Sequence, residues 1–232
     1  MKHPLDAPLR QGLLDLALAL DETQIAQLLA YLDLIGKWTK VYNLTAVRDP
    51  AEMLTHHMLD SLAVIAPLQA QLAVMAAMSV MAEQGALVTG QQTRLLDVGS
   101  GAGLPGVVIA ICCPQIAVHC VDTVAKKAAF IQQVAVNLKL SNLRGIHARV
   151  ESLTEPYDVV SSRAFASLVD FVTWSGAALV EQGIWMGMKG KHPAEEMAVL
   201  PSSVRVFHVE QLVVPGLGAE RCIVWMRKVL AV

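Results

Sequence analysis

The 232-residue chain has few of the residues from which metal centres and disulfide frameworks are built. Its cysteines are Cys112, Cys113, Cys120 and Cys222, and their spacing fits neither a metal-ligand motif nor a disulfide pattern. We expect four small, buried hydrophobic side chains in a reducing compartment. The sequence therefore predicts neither a bound metal nor a disulfide-rich secreted domain.

Charged residues are also scarce: they make up 16% of the chain, and the net charge is −2. This balance argues against loose, charge-driven binding to nucleic acid. It does not exclude recognition of one RNA site by a local basic patch. Composition alone therefore suggests no RNA partner.

A membrane span and a signal peptide are not predicted either, although 54% of the residues are hydrophobic and the mean hydropathy is +0.48. The most apolar run, 62–82, contains Pro67, Gln69, Gln71 and Ser79, and the part after the last glutamine, 72–82, is too short to cross a bilayer. The apolar N-terminal stretch contains Asp15 and lacks a small-residue cleavage site. We expect a cytoplasmic protein that does not enter a membrane.

The most informative stretch is 94–106, RLLDVGSGAGLPG. An apolar strand runs into a turn with glycine at Gly99, Gly101 and Gly103, and Pro105 suits the first turn of a following helix. Because glycine has no Cβ, the backbone N–H groups of such a turn can approach a ligand closely. The pattern predicts a cofactor-binding turn at the carboxyl end of a strand.

Two cofactors fit this turn. Residues 101–106 match the dinucleotide fingerprint, and Asp122 lies near the distance at which NAD enzymes place a ribose ligand. The same letters match the S-adenosylmethionine turn, in which Asp97 would face the amino group of the methionine part. A carboxylate there would repel the pyrophosphate of NAD, so the turn favours S-adenosylmethionine.

The N-terminal part is predicted to be helical. Apolar residues recur at helical spacing within 8–42, and Asp21 is a plausible N-cap. After a polar loop over 42–48, Asp49 and Pro50 open a second helix.

That second helix buries Leu54 and Met58 on one face in our interpretation, and it carries His57, Asp60 and Ser61 near the other side. A histidine, an aspartate and a serine this close along one helix do not form a nucleophilic triad. We interpret the segment as a capped packing helix.

From residue 94 onward, strands and helices alternate, as in a parallel-sheet α/β domain. Strands are predicted over 95–98, 116–121, 146–150, 157–160, 184–189, 204–214 and 222–227, and helices over 107–113, 124–139, 167–180 and 193–199. The last two strands form a hairpin, which gives a mixed sheet. The fold class is α/β: a seven-stranded Rossmann-like methyltransferase sheet with a terminal hairpin. We divide the chain into a helical segment (1–67), an apolar connection (68–93) and a methyltransferase domain (94–232).

Several segments together resemble the ribosomal RNA small subunit methyltransferase G family, also called glucose-inhibited division protein B. The matching segments are KWTKVYNLTAVRDPAEMLTHHMLDSL (37–62), LLDVGSGAGLPG (95–106), YDVVSSRAFASL (157–168), MKGK (188–191) and PGLGAERCIVWMRK (215–228). The connection 68–93 is longer and more apolar than is usual in that family. The resemblance implies transfer of methyl from S-adenosylmethionine to N7 of one guanine in 16S ribosomal RNA.

The expected cofactor-binding residues are Gly99, Gly101, Gly103, Leu104, Asp122, Val150, Glu151 and Arg163. Asp122 ends the second strand and is placed to accept hydrogen bonds from ribose, while Leu104 offers an apolar wall. The resemblance implies Val150, Glu151 and Arg163. Val150 and Glu151 follow the third strand, in a position to receive adenine. Arg163 follows the fourth strand, and two ligands remain open for it: the cofactor carboxylate or an RNA phosphate.

No residue is assigned as an acid or base, because guanine N7 carries a lone pair and no proton. The chain also lacks the Asn/Asp-Pro-Pro-aromatic turn used for methylating amines. Phosphate contacts are expected at Arg48, Lys126, Lys189 and Lys191, with Lys127 beside Lys126 as a further candidate. The expected partner is 16S ribosomal RNA or a small-subunit particle. We expect the protein to be a monomer.

Three other functions remain open at this stage. They are methylation of a small molecule, a non-catalytic S-adenosylmethionine sensor, and an NAD-dependent oxidoreductase.

Overall fold

The computed structural model describes residues 3–82 and 92–229. The N-terminal region forms two helices, α1 (Asp6–Asp15) and α2 (Glu22–Tyr42), where the sequence pattern predicted one over 8–42. The chain turns between them, where Ala17 has a φ of +53°. Asp21 caps α2 as predicted, and its carboxylate accepts a hydrogen bond from the Gln24 backbone N–H at 2.8 Å.

A long helical stretch follows, capped by Asp49 as predicted. It consists of α3 (Pro50–Met53), a π-helical segment (Leu54–Leu59), α4 (Asp60–Leu62) and α5 (Ile65–Ala82). The first part of the predicted apolar connection is thus helical, and residues 83–91 lie outside the described part of the chain. π-Helical turns occur often at functional sites.

Within the described residues, Pro50–Met78 is long and apolar enough to cross a membrane by length and composition alone. However, 33% of its most apolar window is buried inside the protein. Met58, Leu62 and Ile65 are almost completely buried in the hydrophobic core, which accounts for part of the high hydropathy.

The sheet has seven strands in the order β3-β2-β1-β4-β5-β7-β6. They are β1 (Arg94–Val98), β2 (Ala117–Asp122), β3 (Leu143–His147), β4 (Tyr157–Arg163), β5 (Leu179–Lys189), β6 (Val204–Leu212) and β7 (Arg221–Lys228). The first five are parallel, and β7 is antiparallel to both of its neighbours. The predicted seven-stranded sheet with a terminal hairpin is confirmed.

Four further helices connect the strands: α6 (Gly106–Cys112), α7 (Ala125–Asn137), α8 (Leu168–Ser175) and α9 (Ala194–Ala198). The main errors of prediction concern β3 and β5. β3 ends at His147, the partner of Asp122, and Val150 instead begins a short 3₁₀ helix. β5 begins at Leu179, within the predicted helix 167–180, because Leu179 pairs with Tyr157 of β4.

The core lies on both faces of the sheet. Along β1, Leu95 belongs to the cluster on one face and Leu96 to the cluster on the other, as the alternation of side chains in a strand requires. The N-terminal helices belong to the first cluster, so that Leu28 and Ile35 of α2 share one core with Val107 of α6. This packing places the helices beside the turn that follows β1.

Candidate active site

The glycine turn after β1 is built from left-handed backbone. Gly99, Gly101 and Gly103 have φ values of +66°, +58° and +90°, which glycine adopts without strain. The Gly99 N–H donates to the Val121 carbonyl at 2.9 Å, so the turn is anchored to the end of β2.

The three glycines serve different purposes. Gly99 and Gly101 line the cleft described below, whereas Gly103 is buried. A Cβ at Gly103 would lie 2.5 Å from Val107 Cγ2, so this glycine permits close packing of α6. Of the three, Gly103 is the one that the structure does not place at the cleft.

Tyr31 of α2 supports this turn from below, a contact that sequence reasoning missed. The side chain is fully buried, and its hydroxyl donates to the Ala102 carbonyl at 2.6 Å. A helix far from the turn in sequence therefore holds the turn in place.

Asp97 does not face the cleft, and the expectation that it would meet the cofactor's amino group is wrong for this structure. The carboxyl group has no exposed surface, and it accepts hydrogen bonds from the Gly106 N–H at 3.1 Å and the Ser161 hydroxyl at 2.9 Å. Burial raises its pKa to about 7, although both hydrogen bonds oppose the shift.

Two cavities of 490 and 580 Å³ meet at Gly99, Lys127 and Ala164, so together they form one cleft. The cleft crosses the carboxyl ends of the central parallel strands, the position where doubly wound sheets bind their ligands. We call the 490 Å³ part the adenosine side and the 580 Å³ part the acceptor side, after the groups that the sequence analysis leads us to expect there.

The adenosine side is lined by Asp122, Val150 and Glu151, three of the predicted cofactor-binding residues. The Asp122 carboxylate accepts hydrogen bonds from the backbone N–H groups of Gly101 at 3.0 Å and Val124 at 2.8 Å. These contacts fix the carboxylate at the cleft, and each of its oxygens keeps a second lone pair for a hydroxyl donor.

Aromatic side chains close the adenosine side. The rings of Phe165 and Trp174 meet edge to face, with centroids 5.8 Å apart, and both line the cavity. Phe165 also covers Gly99, where a Cβ would lie 2.1 Å from Phe165 Cδ2. The glycine turn, the apolar walls and the fixed carboxylate suit an adenosine group.

The acceptor side is lined by Leu104 and Arg163, two of the predicted cofactor-binding residues, and also by residues that the sequence analysis had treated as part of a packing helix. Asp60 is 2% exposed, and its carboxylate accepts hydrogen bonds from Arg163 Nη1 and from Arg221 Nε, both at 2.8 Å. Asp60 and Arg221 both lie in segments that matched the family, and this match was the available signal.

His57 also lines the acceptor side. Its Nε2 lies 2.6 Å from the Thr45 hydroxyl, which comes from the loop between α2 and α3. Burial lowers the pKa of His57 below its usual value, and the positive charge of Arg163 lowers it further. This shift favours the neutral imidazole.

Most of the basic residues that were expected to contact RNA lie elsewhere or are already paired. Arg48 borders a separate 920 Å³ cavity among the N-terminal helices. Lys126 Nζ lies 5.3 Å from the centre of the Tyr42 ring, whereas its neighbour Lys127 lines the cleft.

Lys189 does line the acceptor side, but its Nζ binds the Glu196 carboxylate at 2.7 Å. Lys191 is exposed and lines none of the described cavities. In the described parts of the chain, no cluster of three or more histidine, cysteine, aspartate or glutamate residues suits a metal ion.

Comparisons with known proteins agree with this architecture. A family model described as rRNA small subunit methyltransferase G matches residues 24–224. A ribosomal RNA small subunit methyltransferase G from Albidiferax ferrireducens is 68% identical over 224 residues, covering 97% of each chain. One from Polaromonas sp. is 67% identical and covers 94% of this chain and 92% of the relative.

Among solved structures, TrmN from Thermus thermophilus aligns with a TM-score of 0.50 and 19% identity, covering 60% of this chain and 44% of that one. This likeness concerns the fold alone. The match to the family model and the identity to full-length relatives carry the conclusion that this chain belongs to the rRNA small subunit methyltransferase G family.

Proposed function

We propose that this protein transfers a methyl group from S-adenosylmethionine to N7 of one guanine in 16S ribosomal RNA, as free RNA or within a small-subunit particle, in the cytoplasm. The observation that carries the proposal is the continuous cleft. Its adenosine side and its acceptor side meet at Gly99, at the edge of the sheet where this family carries its glycine turn.

The residues of the adenosine side fit the cofactor. Asp122 is oriented to accept hydrogen bonds from ribose hydroxyls, and Val150 and Phe165 offer apolar surface to adenine. Gly101 leaves room for the methionine part, because the nearest atom to a Cβ at this position would lie 4.0 Å away. When bound, S-adenosylmethionine supplies an electrophilic methyl group attached to a sulfonium.

The acceptor side has no need of a general base, because guanine N7 has an in-plane lone pair and no proton to lose. The two buried carboxyl groups are consistent with this: the Asp60 carboxylate binds two guanidinium groups, and Asp97 lies outside the cleft. The Nε2 of His57, which also lines this side, lies 2.6 Å from the Thr45 hydroxyl. We infer that the side chains act by aligning the acceptor, which is catalysis by proximity and orientation.

Methyl-labelled S-adenosylmethionine, incubated with unmodified small-subunit RNA both free and in particles, tests the proposal. Digestion of the RNA should place the label in 7-methylguanosine. Label in another nucleoside would refute the acceptor atom, and cofactor binding without any label would indicate a small-molecule substrate or a sensor.

A second arm tests the absence of a proton-transfer residue. We expect Asp122→Asn to weaken cofactor binding and to lower transfer in proportion, while Asp15→Ala, in an exposed position on α1, leaves both unchanged. If Asp122→Asn abolished transfer with cofactor and RNA binding intact, the mechanism by alignment alone would be wrong.

A further inference from the structure

Asp60 is the one carboxylate among the described residues that line the acceptor side, and it binds two guanidinium groups. Its side chain is 3% exposed, while those of Arg163 and Arg221 are 20% and 25% exposed. One negative charge between two positive charges leaves a net positive charge at the wall of the cleft. The buried Asp60 charge is compensated, whereas the excess positive charge lies on two arginines that are partly exposed to the cleft, so it can attract an anion.

The hydrogen-bond donors of the two arginines are only partly used. Arg163 Nη1 also donates to the His56 carbonyl at 3.2 Å, and Arg221 Nη1 donates to the Glu220 carbonyl at 2.8 Å. Nε and Nη2 of Arg163 and Nη2 of Arg221 have no partner within the described parts of the chain. Guanidinium groups with free N–H donors bind the oxygens of phosphate or carboxylate groups.

The two lysines that line the acceptor side each lie near a carboxylate. Lys189 is paired with Glu196 at 2.7 Å, and Lys127 Nζ lies 3.7 Å from the Asp122 carboxylate. The unbalanced positive charge of the acceptor side therefore resides on the arginine pair.

The position of Arg221 favours an anion of the acceptor over one of the cofactor. Arg221 begins β7, which is separated from β1 by β4 and β5. Three strand spacings place β7 about 14 Å from β1. The adenosine side lies over β1 and β2. Arg221 therefore lines the opposite end of the cleft from the part that would hold the cofactor.

We propose that Arg221, together with Arg163, binds a phosphate of the acceptor RNA next to the guanine, and that Asp60 is the positioning residue that holds both guanidinium groups at the cleft. The inference rests on the proposed function. Because the guanidinium groups are held in place before the RNA binds, little side-chain entropy is lost on binding.

Arg221→Gln tests the site, with Arg205→Gln as the matched control. Arg205 is exposed on β6 and pairs with the opposite end of β7, so the same charge is removed at the other edge of the sheet. The dissociation constant for an unmodified small-subunit RNA transcript is measured at several salt concentrations, and that for S-adenosylmethionine by calorimetry.

For Arg221→Gln we expect RNA affinity about tenfold lower and a salt slope smaller by about one unit, with cofactor affinity unchanged. Arg205→Gln should match the wild-type protein. Arg221→Lys, which keeps the charge beside Asp60, should keep the salt slope and lose a few-fold in affinity.

Two results would overturn the site. The first is an unchanged RNA affinity in Arg221→Gln, and the second is a loss of cofactor affinity with the RNA salt slope intact, since the anion would then be the cofactor's carboxylate. An equal loss of slope in Arg221→Lys would also refute it. If the wild-type protein neither bound nor methylated the RNA, the proposed function itself would fail, which is a distinguishable outcome.

Discussion

At the residue scale, burial changes the chemistry of Asp97 more than that of the other carboxyl groups described. This carboxyl group is fully enclosed below the glycine turn, and its pKa is raised from 3.8 to about 7. Between those two pH values the native protein holds a proton that the unfolded chain has already lost. The free energy of unfolding should therefore fall as the pH rises through this window, by up to about 1.4 kcal/mol per pH unit.

Asp97→Asn should remove that dependence, because the neutral amide has nearly the shape of the protonated carboxyl group. We expect the variant to show a flatter stability profile from pH 5 to 7 and to exceed the wild-type protein at pH 8. Urea unfolding at each pH measures this. Equal slopes for the two proteins would contradict a protonated Asp97 in the folded state.

Backbone strain at the cleft is concentrated at Ala164, which has a φ of +51° directly after Arg163. An L-residue in this region costs roughly 1–2 kcal/mol, so Ala164→Gly should raise the free energy of unfolding by about 0.5–1 kcal/mol. Ala166→Gly, at a position with negative φ in the same loop, should lower it by a similar amount. Chemical denaturation of both variants would refute the strain if they shifted in the same direction.

At the element scale, two helical glycines have opposite surroundings. Nothing lies within 4 Å of a Cβ at Gly36 in α2, whereas a Cβ at Gly12 in α1 would lie 2.4 Å from Leu59 Cδ2. Gly36→Ala should stabilise the protein by about 1 kcal/mol, and Gly12→Ala should destabilise it by about 1–3 kcal/mol. Thermal unfolding of the two variants measures these changes in stability. A destabilised Gly36→Ala variant would show that α2 needs this glycine.

The hydrogen bond between α2 and the glycine turn should matter for binding as well as for stability. Tyr31→Phe leaves the Ala102 carbonyl without its 2.6 Å donor and should cost about 1–2 kcal/mol of stability. Because Ala102 belongs to the turn, we also expect weaker S-adenosylmethionine binding, measurable by calorimetry. An unchanged affinity would mean that the turn keeps its shape without α2.

At the scale of the whole molecule, we infer that the N-terminal helices and the sheet unfold together, because their side chains share one core. The thiols report on this. All four cysteines are buried, and burial raises the pKa of each thiol.

Native protein should therefore react with less than one equivalent of a thiol reagent on the minutes timescale, and unfolded protein with four. The reaction should follow the same denaturant midpoint as circular dichroism. Cys113 contacts Gln69 of α5. If Cys113 reacted with the reagent at a lower denaturant concentration than the circular dichroism midpoint, the N-terminal helices would detach from the sheet first.

Local sequence patterns were sufficient to predict much of the secondary structure of this protein. The glycine turn, the caps at Asp21 and Asp49, and the alternation of strands and helices each depend on residues close in sequence, so their physical causes can be read from the chain. The boundaries of strands were less predictable where pairing with a neighbouring strand sets them. β5 begins at Leu179 because Tyr157 of the neighbouring strand pairs with it.

The sequence by itself determined the fold class, the glycine turn, the position of Asp122 at a strand end and the family. The tertiary structure alone decided which charges meet. Asp60 and Arg221 are 161 positions apart, Lys189 is neutralised by Glu196, and Asp97 turns inward beneath the cleft. Electrostatic pairing and burial depend on distances in space, and those distances are set only when helix and sheet pack around one core.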